Sequence, residues 1–309
     1  MKQSPVGRLH PDQFGYRGAY TRRFLGASVC LIGIISVYYL AVRTVHGQLV
    51  DTVSMRAIAQ FRSYFSGIDK LILGIVSVPT IIVIMVLAAL ITLLRKRFAL
   101  SLRVIAVIAL SALTSQVLKT YIFSRPHLGV GEHIINSLPS GHVTVAAAAG
   151  MALMIAVPHH MRPWFALIGA LFTIIMGLAV ASHMWHRPSD IIASIFIVTF
   201  WALVVTPIEK TTAEHSRSRS FMMGLAIICT TIAVLFTGMA WSMITGSPYY
   251  LDNPSNAAAL DVLARGSSIV GQMAALSGIV SICATAFLCL TYVDRSMLIA
   301  PLKRPYTQH

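Results

Sequence analysis

The sequence predicts an all-α polytopic membrane protein, a bundle of about eight transmembrane helices in which six form a core and two follow it. Only 11% of the 309 residues are charged and 56% are hydrophobic, whereas a soluble domain carries about 25% charged residues. The apolar residues fall in long runs rather than in alternating or narrow amphipathic patterns, and a helix of about 20 such residues crosses the hydrocarbon core. Basic residues gather on one side of these runs, as the positive-inside rule requires of a membrane protein.

The runs are Phe24–Val42, Leu71–Leu94, Phe98–Leu118, Gly141–Val157, Trp164–Ala181, Ile191–Thr206, Phe221–Gly246 and Ser268–Val293. The fourth and sixth are short, which a helix packed inside protein tolerates. Residues 1–23 read as a basic cytoplasmic segment leading into an uncleaved first span. Residues 24–206 form the six-span core, 207–293 the two additional spans with an exterior loop, and 294–309 a cytoplasmic tail. The exterior segment 43–70 carries Val50, Val53, Ile58, Phe61, Phe65 and Ile68 at helical spacing opposite Arg56 and Arg62. It reads either as an amphipathic helix in the interface or as one packed on the bundle. In the last exterior loop, Ser255 as N-cap and Gly266 as stop predict a short surface helix.

The net charge of +14 raises the question of nucleic acid, and its distribution answers it. Of the 24 lysines and arginines, 16 flank the cytoplasmic ends, among them Arg22, Arg23, Arg95, Lys96, Arg97, Arg103, Arg162, Arg217, Arg219 and Arg295, and 8 lie outside. The excess sets topology and attracts anionic headgroups, so nucleic acid is not expected as a partner. Both termini are placed in the cytoplasm of a cell-membrane protein. The four cysteines lie within spans as small apolar filler, with neither disulfide nor metal-type spacing.

Three exterior segments hold most of the reactive side chains. The first runs from Lys119 to Arg125 and Pro126, the second is Pro139-Ser140-Gly141-His142, and the third runs from His183 through His186-Arg187-Pro188-Ser189 to Asp190. Each lies at a span end on one side of the bilayer, so one pocket can gather them. Lys119 and Arg125 suit a phosphate and its developing charge, although either alone reads as interfacial snorkelling. Ser140 and Gly141 open a helix whose first N–H groups and positive dipole favour an anion. His142 can donate a proton. His186 and Asp190 are four apart, with Pro188 suited to a first helical turn. The carboxylate can hold one imidazole nitrogen and free the other as nucleophile or base.

Together the three segments resemble those of the phosphatidic-acid phosphatase type 2 superfamily, over residues 119–190 and a core ending near Thr206. The resemblance implies hydrolysis of a lipid phosphate through a phosphohistidine, without metal or other cofactor. It makes His186 the nucleophile, Asp190 its orienting partner and His142 the acid for the leaving group. Lys119, Arg125, Ser140 and Gly141 would bind phosphate. Membrane lipids are the expected surroundings; protein partners are not specified by the sequence.

Two departures from the family pattern stand out. Five residues separate Lys119 from Arg125, where the family has six. The family's Ser-Arg at the start of the third segment is replaced by Ala179-Val180, so one phosphate-binding cation is missing. Arg187 for its charge, or His183 for its position, is expected to stand in. Three further readings stay open: a phosphotransferase using the same residues, a non-catalytic homologue serving as transporter or scaffold, and a metal site on His183 and His186 with His127 or His133.

Overall fold

A computed structural model describes residues 11–62, 78–131, 136–210, 217–247 and 257–299. The sites discussed above at Phe65, Ile68, His133 and Ser255 lie outside the described residues. The described chain is an all-α bundle. Its helices are α1 (Pro11–Val37), α2 (Val45–Gln60), α3 (Val78–Leu94), α4 (Phe98–Val117), α5 (Gly141–Ala156), α6 (Arg162–Ser182), α7 (Pro188–Val205), α8 (Arg217–Thr245), α9 (Ala257–Leu263) and α10 (Ile269–Ser296).

Six helical segments are long and apolar enough to cross a membrane: Gly15–Val42, Phe98–Ile122, Arg162–Ser182, Pro188–Val205, Arg217–Thr245 and Ile269–Ser296. The apolar helices Ile82–Leu94 and Gly141–Ala156 are shorter. These eight elements correspond one to one with the eight apolar runs. The first helix starts earlier than its run, at Pro11, so the leader is partly helical.

Lipid and core faces separate along the outer helices. α1 exposes Phe24, Leu25, Val29 and Ile32, and α8 exposes Phe221, Ile227, Ile228 and Val234, the outward apolar surface that a bilayer covers. The inner helix α5 is buried almost throughout from Val143 to Ala156, so it has no amphipathic stripe. Small residues set its spacing. A Cβ on Gly150 would lie 2.8 Å from the Gly169 Cα of α6, so only glycine lets these two helices cross so closely.

Because α4, α5, α6 and α7 alternate in direction, their ends form two opposite layers. One layer is ionic. Arg162 at the start of α6, completely buried, and Arg97 before α4 both pair with Glu209, at 2.9 and 2.6 Å. Burial alone would raise the Glu209 pKa, but these two arginines hold it below the usual range. Arg219 of α8 pairs with Asp294 of α10 at 2.8 Å. A two-residue parallel strand pair, Glu209–Lys210 with Leu298–Ile299, joins the same ends. The opposite layer contains all three motif segments.

At that second layer, α1 and α4 each continue into a wider π turn, Tyr38–Val42 and Leu118–Ile122. The turns pack together: Tyr38 stacks on Phe123 with ring centroids 4.2 Å apart, and its hydroxyl donates to Ser124 O at 3.2 Å. A π turn holds one more residue than an α turn, and Lys119 lies within it. The shorter Lys119–Arg125 spacing thus coincides with a local change of helical register.

Candidate active site

The third motif is shaped by a tight reversal. α6 ends at Ser182, and Met184 adopts φ 58°, a left-handed conformation of the kind that closes helix C-termini. Trp185 and His186 can then both donate their backbone N–H to Val180 O, at 3.0 and 3.3 Å. Arg187 is extended, and Pro188 begins α7, where its missing N–H and fixed φ cost nothing.

His186, only 7% exposed, places Nδ1 3.3 Å from Asp190 Oδ2. The same carboxylate oxygen accepts the Ser137 hydroxyl at 2.7 Å and the Arg187 N–H at 3.0 Å. Asp190 is completely buried. A buried carboxylate held by several donors favours Nδ1–H on the facing imidazole and leaves Nε2 with a lone pair.

The second motif is joined to the third by backbone and hydroxyl contacts. Ser140 N–H donates to Asp190 O at 3.2 Å. The Ser194 hydroxyl lies 2.9 Å from Ser140 O and 2.8 Å from Asp190 O. Ser140 is the N-cap of α5, and its hydroxyl accepts Val143 N–H at 3.4 Å. Ser140 is completely buried, and its side chain caps the helix. The N–H groups of Gly141 and His142, the first of α5, have no internal helical partner. Space beside the Gly141 Cα is open. His142 is exposed, its ring 6.0 Å from that of Trp185, and it lies within electrostatic range of His186 and Lys119.

Motif one is tied in by Asn136, whose amide donates to Lys119 O at 3.2 Å, Phe123 O at 3.1 Å and Leu138 O at 3.1 Å. Lys119 and Arg125 are both half-buried. Burial, followed by the like charge of Arg187, lowers the Arg125 pKa, while Asp51 and Asp190 oppose that shift. The other three charged groups therefore lie within electrostatic range of Arg125.

The two stand-ins for the missing cation are placed differently. Val180 is completely buried in the core. Arg187, 3% exposed, donates from Nη1 to Ser137 Oγ at 3.2 Å and from Nε to Thr52 Oγ1 at 3.3 Å. Its charge thus sits beside the Ser137–Asp190 pair. His183 is held back on its own helix, with Nδ1 2.8 Å from Ala179 O and its ring against Trp185. Among the described residues, no three His, Cys, Asp or Glu side chains are arranged to hold a metal ion.

Sequence reasoning missed Ser137, Asn136, Thr52 and Asp51. α2 packs into the bundle, and Gln48, Asp51, Thr52 and Ser54 are buried along with its apolar residues. Asp51 accepts Ser189 N–H at 3.1 Å and the Ser189 hydroxyl at 2.5 Å. Burial, then the charge of Asp190, pushes its pKa up to about 6. A signal was present: Gln48, Asp51 and Thr52 are spaced i, i+3 and i+4, a polar stripe within a helix whose other residues are mostly apolar.

Comparison of the chain with curated proteins and with solved structures found no match. The family comparison did: residues 100–214, which span α4 to α7 and all three motifs, match the PAP2 superfamily. Through this segment the chain is similar to the PAP2 superfamily, the family that the three motifs resemble.

Proposed function

We propose that this protein is a membrane lipid phosphate or diphosphate phosphatase working through a phosphohistidine on the extracytoplasmic face. The observation that carries the reading is the buried His186–Asp190 pair, braced by Ser137 and Arg187, beside the open start of α5 at Gly141. His186 Nε2 attacks phosphorus, the bond to the leaving oxygen breaks, and His142 gives that oxygen its proton. Water then attacks the phosphohistidine, with His142 taking the proton, and inorganic phosphate leaves. Lys119, Arg125, Arg187 and the N–H groups of Gly141 and His142 neutralise charge on the phosphoryl oxygens. Ser140 acts by capping α5.

A lipid tail is supported by the surroundings. A cavity of about 250 Å³ bounded by α1, α2, α7, α8 and α10 reaches Asp51, Pro188 and Ser189, with Val37, Leu40 and Trp241 among its other walls. A polyprenyl-type lipid phosphate is the first substrate to try. The test is phosphate release by the purified protein from polyprenyl diphosphate, polyprenyl phosphate and phosphatidic acid in detergent, with and without chelator. Release from at least one, unchanged by chelator, is expected. Transfer of label to a lipid or sugar acceptor in place of water would make the protein a phosphotransferase, and no turnover of any kind would contradict the reading.

The topology is tested separately. Cysteine at His127, in the loop after α4, is expected to react with an impermeant thiol reagent in intact cells; cysteine at His160, before α6, is expected not to. Both positions are exposed. The reverse pattern would put the site in the cytoplasm.

A further inference from the structure

The family match begins at residue 100, yet the site is also held from outside that segment. α2 supplies three contacts from one face. Gln48 donates to Pro126 O of the first motif at 2.9 Å, Thr52 accepts Arg187 Nε at 3.3 Å, and Asp51 takes both donors of Ser189. α10 closes the arrangement from behind. A Cβ on Gly278 would lie 2.9 Å from Ile58 Cδ1 of α2 and 3.0 Å from Pro188 Cγ. Helices α2 and α10 thus grip the start of α7 between them.

We propose that Asp51 is a positioning residue for the reaction: by holding Ser189 it fixes the first turn of α7, and with it the setting of Asp190 against His186 and of Arg187 toward the phosphate. The inference rests on the phosphatase reading above. A neutral side chain could fill the space as well, so the carboxylate calls for an explanation. It faces the charges of Asp190 and Arg187 from the start of α7 and of Arg125 from the loop after α4. An ionised carboxylate accepts both Ser189 donors, offers no competing donor of its own, and shares the charge of Arg187 with Asp190.

That choice works against stability. A carboxylate raised to about 6 contributes stability below its unfolded range of about 4, and the contribution is lost as pH rises through the folded value. Near neutral pH the ionised form is held at a cost, so Asp51→Asn is expected to leave thermal stability unchanged or higher while impairing turnover.

The experiment compares purified wild-type protein, Asp51→Asn, Asp51→Ala and Ser189→Ala for kcat, KM, thermal stability and pH profile on a lipid phosphate. Arg56→Ala, on the same helix but paired with Asp261, serves as control. The expected result is a fall in kcat of about tenfold or more in both Asp51 variants, with KM changed less than about threefold. The acid limb of the wild-type profile, to which protonation of Asp51 contributes, becomes shallower in Asp51→Asn. Arg56→Ala behaves as wild type. Asp51→Asn with wild-type kcat and an unchanged acid limb would overturn the proposal, as would losses of kcat that only follow losses of stability. If Asp51→Ala does not fold, Asp51→Asn and Ser189→Ala decide the matter. A wild-type protein inactive on every lipid phosphate would instead sink the phosphatase reading, and the inference with it.

Discussion

Replacing His186 with alanine is expected to lower lipid-phosphate turnover by roughly four orders of magnitude or more, the scale on which loss of a catalytic nucleophile acts. The side chain is buried beside a carboxylate that already receives a hydroxyl and a backbone N–H, so no neighbouring group is placed to take over. His142 is exposed at the other side of the pocket and lacks such a partner among the described contacts. Its replacement by alanine is expected to slow turnover less, and most for substrates with poor leaving groups, because a good leaving group departs without a proton. The rates are read from phosphate release under saturating substrate. His186→Ala turning over within tenfold of wild type would remove the histidine from the mechanism.

The second large effect is expected at Asp190. In the serine-protease triad, the change from carboxylate to amide beside the catalytic histidine costs about 10⁴ in kcat. Here the same change is expected to cost about a thousandfold, because the Ser137 and Arg187 contacts still hold the local geometry. Asp190→Asn presents an amide to His186 Nδ1 and favours the tautomer that ties up Nε2. Asp190→Ala adds a second penalty, leaving the Ser137 hydroxyl, the Arg187 N–H and His186 Nδ1 without the carboxylate they meet, with a loss of about 3 kcal/mol in stability. A thermal-shift series separates the two: Asp190→Asn should melt near wild type and Asp190→Ala well below it. Equal kcat in Asp190→Asn and wild type would mean that the carboxylate does not set the tautomer.

The elements legible in the sequence were those written in local pattern. Eight apolar runs announced eight helices, since bilayer burial leaves no other way to satisfy a backbone. The motifs also carried their own local geometry, with Ser140 at a cap and Pro188 at a first turn. What was not legible depended on which side chains meet across the bundle. Val180 removed the expected cation, but only packing shows that Arg187 turns toward Ser137 and Thr52 while His183 bonds back to Ala179. α2 read as a surface or docked helix because its apolar positions recur at helical spacing opposite Arg56, and its inward polar stripe became meaningful only once Ser189 and Arg187 lay opposite. Ser140 carries a second role that the motif also allowed: its hydroxyl oxygen accepts the Val143 N–H as the cap of α5, which leaves its own O–H to donate.

The central claim is a covalent bond between His186 and phosphorus, and trapping it is the most direct test. Wild-type protein is mixed with lipid phosphate labelled in the phosphoryl group, quenched in base within the first turnover, digested and mapped by mass spectrometry. The account predicts label on His186, stable in base and lost in acid, abundant in Asp51→Asn if hydrolysis of the intermediate is slowed, and absent from His186→Ala. A wild-type protein that releases phosphate in steady state while carrying no label on His186 at any quench time would contradict it.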